Sequence, residues 1–92
     1  TAFTISSAGY TRTLTKHTDL NGKVRFRRYD SDQEAYDILQ WSGTQWSYSI
    51  AGVGSVATSS DDTTYPWTAT FTPSATLSTL MAILLYRLYL MN

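Results

Sequence analysis

Few side chains in this sequence can do chemistry, and their types limit what that chemistry can be. There is no cysteine, so thiolate nucleophiles, thiolate metal sites and disulfide frameworks are excluded. His17 is the only histidine. One imidazole alone leaves a transition metal short of ligands, and a Ser–His–acid triad would need an aspartate placed by chance. His17 therefore reads as an exposed loop residue beside Asn21-Gly22, and no metal or cofactor is expected. The acids gather at Asp30, Asp32, Glu34 and Asp37, with Asp61 and Asp62 further on. Two carboxylates held about 5–9 Å apart across a cleft can cleave a glycoside, but a 92-residue chain has little room for such a cleft. Asp30-x-Asp32 offers oxygens to calcium but lacks the glycine and closing glutamate that a calcium loop needs. A solvated turn is the plainer reading of both acidic runs. No catalytic residue is assigned, and a non-enzymatic role is expected.

Two further groups favour binding over catalysis. Lys23, Arg25 and Arg27 alternate along one stretch, with Arg28 on the opposite parity and Tyr29 next to it. Such a stripe can neutralise phosphates, and a neighbouring tyrosine can stack on a base. The chain nevertheless balances seven basic against seven acidic side chains, so cross-strand ion pairing is expected rather than nucleic acid. The tryptophans Trp41, Trp46 and Trp67 are the type that sugar binders use as flat platforms. Trp46 shares its parity with Tyr48 and Ile50, and Trp67 with Phe71, which assigns both to the core. Trp41 is opposite in parity to Tyr36 and Ile38 and is the tryptophan expected at the surface. A glycan site, if present, is assigned to Trp41 with Tyr29 or Tyr65.

The elements that must position these residues read as strands. Fifteen threonines and eleven serines dominate the polar positions, and β-branched threonine suits a pleated surface. Tyr10, Arg12 and Leu14 alternate with Thr11, Thr13 and Thr15. Asn21-Gly22 is a strong turn dipeptide, and the next strand runs from Lys23 to Tyr29. Tyr36 to Trp41 and Gln45 to Ile50 flank Ser42-Gly43-Thr44 as a hairpin. Ala51 to Ser60 reads as a weak edge strand around Val53 to Thr58, or as a loop. Pro66 then leads into Trp67 to Thr72, a further alternating strand.

Composition changes at Pro73. From Leu77 to Met91 the chain is almost wholly apolar, broken by Ser78, Thr79 and Arg87. A helix would align Leu77, Leu80, Met81, Leu84 and Leu88, yet a strand competes and periodicity does not decide. Fifteen helical residues reach about 22 Å against a bilayer core of about 30 Å, and Arg87 interrupts the run, so a membrane span is not expected. A segment apolar on all sides needs a larger body to cover it, at about 1.5–3 kcal/mol per buried side chain before ordering costs. Leu80, Met81, Leu84, Leu85, Leu88 and Leu90 are therefore assigned to an assembly contact. The expected organisation is an antiparallel β module over 1–73 and an apolar assembly segment over 74–92. The expected fold is all-β, a small antiparallel sandwich or barrel-like sheet with an apolar C-terminal helix or strand.

The order of landmarks carries a resemblance. Phe3 to Gly9 precedes a tyrosine-led strand, Asn21-Gly22 and a strand ending at Tyr29. Tyr36 to Trp41, Trp46 with Ile50, Ser59-Ser60-Asp61-Asp62, Pro66-Trp67 and Pro73 follow. Over about three-quarters of its length the chain resembles the small Trp/Tyr-rich β module that recurs in tail-fibre and surface proteins of marine phages and bacteria. Tyr10 to Lys16 lacks the Asn-Gly usual before the first long strand of that group, and the apolar tail has no counterpart in it. The resemblance implies a non-enzymatic module displayed on a surface, often a virion. The leading expectation is thus a phage structural module, a capsid decoration or tail-fibre component. It would dock through its C-terminus onto other virion structural proteins, as a homo-oligomer. The competing expectation is an extracellular or cell-surface module that binds glycans through exposed aromatics.

Overall fold

A computed structural model describes residues 2–79 and turns the alternating segments into one sheet. Seven strands follow in chain order: β1 (Ala2–Ser7), β2 (Tyr10–Leu20), β3 (Lys23–Asp30), β4 (Ala35–Trp41), β5 (Trp46–Ile50), β6 (Gly54–Ser59) and β7 (Ala75–Thr79). β1 to β6 form an antiparallel meander, and β7 adds to the outer edge of β1. The sheet curls until its two ends nearly meet. Thr58 on β6 and Thr72, just before β7, exchange backbone hydrogen bonds of 3.0 and 2.8 Å. Ser7 Oγ donates to the Ser74 carbonyl at 2.8 Å and fastens the same seam from the other side. The result is an all-β, barrel-like sheet.

The strand patterns explain the curl. β1 and β5 bury every second residue, which sends Phe3, Ile5, Trp46, Tyr48 and Ile50 inward. Leu14, Phe26, Leu39, Trp41, Ala57 and Phe71 complete the interior. Asn21 and Gly22 both take positive φ (52° and 80°), as the two-residue turn between β2 and β3 requires. At Gly52 (φ 79°), in the turn before β6, a Cβ would run into the Gln33 amide as well as strain the backbone.

Three expectations are corrected. The stretch from Trp67 to Thr72 is not a strand: Pro66–Thr68 is a single 3-10 turn, and an irregular segment follows it. Pro66 starts that turn, and the Tyr65 carbonyl accepts from the Thr68 hydroxyl at 2.9 Å. The alternation still marked burial, since Trp67, Ala69 and Phe71 turn toward the core while Thr68, Thr70 and Thr72 face water. Trp41 is buried, at 7% exposure, because the odd positions of β4 point inward. Asp37 is not part of the solvated turn; it shares that inward parity and is fully buried.

β7 lies beyond the boundary expected after Pro73, so the sheet runs on through Thr79. The start of the apolar segment is thus strand, with Leu77 packed against the core. Leu80, Met81, Leu84, Leu85, Leu88 and Leu90 lie outside the described residues.

Candidate functional site

One end of the barrel is closed by the 60–70 segment, and Lys23 holds that lid. Its ammonium donates to the Thr63 carbonyl at 2.6 Å and pairs with Asp62 at 2.7 Å. It also lies 4.8 Å from the Trp41 ring centroid and 5.9 Å from that of Trp46. A cation over two indole faces, with a carbonyl and a carboxylate beside it, is a strong local anchor. Trp46 Nε1 donates to Thr63 Oγ1 at 3.0 Å, which in turn donates to the Tyr65 carbonyl at 2.7 Å. Asp61 accepts from the Thr70 backbone N–H at 2.8 Å. The 3-10 turn is thereby pinned over the barrel mouth.

That pinning shapes a groove of about 330 Å³, lined by Lys16, Asp19, Lys23, Val24, Phe26, Tyr65 and Trp67 among others. Trp67 meets Phe3 in a T-shaped contact (5.9 Å between centroids) and lies 6.1 Å from Phe26. Tyr65 stacks flat on Trp67, 4.7 Å away and 8° from parallel, and remains half exposed. A core-anchored indole thus backs an accessible phenol. An aromatic plate suits the apolar face of a ring-shaped ligand, while Lys16 can donate to its hydroxyls and Asp19 can accept from them. Lys23 is already committed to the lid.

The far end holds a different constellation. Asp37 takes Arg28 Nη1 at 2.7 Å and Arg12 Nε at 3.1 Å on one oxygen, and the Ala51 backbone N–H at 2.8 Å on the other. Two guanidiniums and an amide satisfy a carboxylate that has lost all contact with water. Tyr48 lies near this cluster and donates its hydroxyl to the Tyr10 carbonyl at 3.3 Å. Burial pushes its phenol up to about 12, Arg12 and Arg28 oppose that rise, and Asp37 adds to it. These contacts bind the far end together and use up the charges involved.

The sequence-assigned glycan residues do not converge. Trp41 is a core residue against Trp46, edge to face at 5.7 Å. Tyr29 is exposed on the outer face, paired with Tyr36 at 5.1 Å. Tyr65 alone reaches the groove. Lys16, Asp19 and Trp67 join it there without having been singled out as its partners. The only signal for Trp67 was the Pro66-Trp67 pair, since its alternation with Phe71 says core. That reading is half right, because Trp67 packs against the core and also lines the groove.

His17 is on β2, in register with Arg25, rather than in a loop. Partial loss of water, followed by the Arg27 and Arg25 charges, holds its imidazole below its ordinary value. Among the described residues no three histidine, aspartate or glutamate side chains gather to hold a metal ion. No family model, curated protein or solved structure matches this chain.

Proposed function

We propose that this protein is a non-enzymatic, surface-displayed module that recognises glycans through the groove at the lidded end. The supporting observation is the exposed Tyr65 ring stacked on the core-anchored Trp67, in a groove that Lys16 and Asp19 also line. A sugar ring would lay its apolar face on the phenol and exchange hydrogen bonds with Lys16 and Asp19. The test is calorimetric titration of the full chain with a panel of neutral oligosaccharides, repeated on Tyr65→Ala. Tyr65 is half exposed, so its removal spares the core. Loss of about one aromatic contact, 0.5–1.5 kcal/mol, should weaken binding by about 2- to 12-fold. Equal affinity in the variant, or no binding across the panel, would remove the groove from consideration.

A second reading is a virion structural module, a phage capsid decoration or tail-fibre component that docks through its C-terminal segment. It draws on the resemblance above and on the way β7, an edge strand, hands the chain directly to the apolar run from Leu80 to Met91. Light scattering after size exclusion tests it, comparing the full chain with one ending at Thr79. The shorter chain must keep β7, which pairs with β1 over five residue positions. Self-association of the full chain and a folded monomer from the shorter one would favour assembly. Two monomers of equal stability would sink it.

A further inference from the structure

The charges of this chain cancel in number but not in place. Of the seven acids, Asp37 is turned inward, Asp62 is bound to Lys23, and Asp61 holds the Thr70 N–H. Asp30 accepts the backbone N–H groups of Asp32 and Gln33 in its own turn. Among the described residues the ion pairs use Arg12, Arg28 and Lys23, so Arg25 and Arg27 have no carboxylate partner. These two share the outer face of β3, with His17 in register beside Arg25 on β2. His17 is held below its ordinary value first by partial loss of water and then by the charges of Arg27 and Arg25 beside it.

Aromatic surface adjoins these cations. The Arg27 guanidinium lies 4.4 Å from the Tyr36 ring centroid, and Tyr29 meets Tyr36 edge-on at 5.1 Å. Neither tyrosine serves the core, with exposures of 52% for Tyr29 and 38% for Tyr36. Stacking on a ring restrains the Arg27 fork, which lowers the ordering cost of gripping an oxyanion. Arg25 is restrained similarly, through Nε to the Thr18 carbonyl at 2.8 Å and Nη2 to Thr18 Oγ1 at 3.0 Å. From Arg25 to Tyr29 the strand runs about 13 Å at its usual rise per residue, so cations and rings lie along one line. Thr15 of β2, in register with Arg27, flanks that line; its hydroxyl donates to the Arg27 carbonyl at 3.3 Å and keeps its oxygen as an acceptor.

We propose that the outer face of β2–β4, built on Arg25, Arg27, His17, Tyr29 and Tyr36, binds a polysaccharide that carries oxyanion groups, either sulfate or carboxylate. The guanidiniums take the oxyanions, the tyrosines take sugar faces, and the Thr15 hydroxyl oxygen accepts from a sugar hydroxyl. Nucleic acid fits less well. Two arginines and one histidine neutralise few phosphates, and the tyrosine pair is edge-to-face, 66° between planes, not a set of parallel base platforms. This surface is separate from the groove and does not depend on it.

The experiment measures binding of the full chain to dextran sulfate, to alginate and to uncharged dextran, at low and high salt. Binding to either anionic polymer, weakened by salt and tighter than any binding of dextran at the groove, is expected; which polymer binds separates sulfate from carboxylate. The Arg25→Gln/Arg27→Gln double variant should lose about tenfold or more in affinity at low salt. Tyr65→Ala should bind the anionic polymers as wild type does, which keeps failure of this surface distinct from failure of the groove. Amide shift mapping on the wild-type chain needs no variant, and should place the changes at residues 15–17, 25–29 and 36. Changes confined to the lidded end, equal binding to uncharged dextran, undiminished binding by the double variant, or tighter binding to single-stranded DNA would each overturn the proposal.

Discussion

Asp37 is the residue whose replacement tests the physical account most sharply. Asp37→Asn keeps the shape and leaves an oxygen for the Ala51 N–H, but turns an amide donor toward two guanidiniums. Each charge-assisted hydrogen bond lost is worth about 1.5–3 kcal/mol when both partners are dry. The arginine side chains are 27% and 44% exposed, so both can rehydrate by swinging outward, and the lower half of that range applies to each. The sum is about 3 kcal/mol, at the lower edge of what breaking one side of a buried ion pair costs. Urea unfolding followed by tryptophan fluorescence is the assay. With an m-value of about 1–1.5 kcal/mol/M for so small a chain, the midpoint should fall by about 2–3 M. Asp37→Ala also orphans the Ala51 N–H and should cost about 1–3 kcal/mol more. Arg28→Gln alone should cost only about 1 kcal/mol, since its neighbour Arg12 still serves the carboxylate. An Asp37→Asn midpoint within about 0.5 M of wild type would refute the reasoning.

Lys23→Ala removes the ammonium under the lid, and should destabilise the chain by about 2–3 kcal/mol while exposing Trp46 to an added quencher; a shielded Trp46 would contradict this role. Tyr48 holds its proton more tightly folded than unfolded, so its contribution is intact below its ordinary value of 10.0 and lost as pH rises toward about 12. Thermal melts between those pH values should decline, and less steeply in Tyr48→Phe. His17 is the only imidazole, so its proton resonances titrate without overlap. Its midpoint should fall below the ordinary value of 6.5 and rise again in Arg27→Gln, where a repelling charge is gone. Because the folded pKa is the lower one, protonation below the unfolded value favours unfolding, and acid should therefore weaken the fold.

Much of the architecture was legible in residue order. Alternation located β2 to β5, Asn21-Gly22 specified a turn with two positive φ values, and Ser42-Gly43-Thr44 marked the next hairpin. These are local matters, decided by side-chain period and backbone sterics. The all-β class followed from them, as did the core placement of Trp46 with Tyr48 and Ile50.

Which side faces in was not legible for β4, although it was for β5. β4 carries apolar residues on both parities, and Tyr36 and Ile38 on the even one leave Trp41 on the side expected to be wet. Only Arg12, arriving from β2, Arg28, arriving from β3, and the Ala51 N–H, arriving from the turn after β5, make an inward carboxylate tolerable. Trp41 went inside with it. Pro66 to Phe71 likewise kept its alternation while leaving the sheet, because Lys23, Trp46 and Asp61 draw that segment across the barrel mouth instead. The sequence by itself determined β2 to β5, the turns at Asn21-Gly22 and Ser42-Gly43-Thr44 and the balance of charge, each set by near neighbours. Tertiary structure alone decided where the acids are spent, which tyrosines stay wet, and that Arg25 and Arg27 meet no counter-charge among the described residues, since those depend on strands meeting across the sheet.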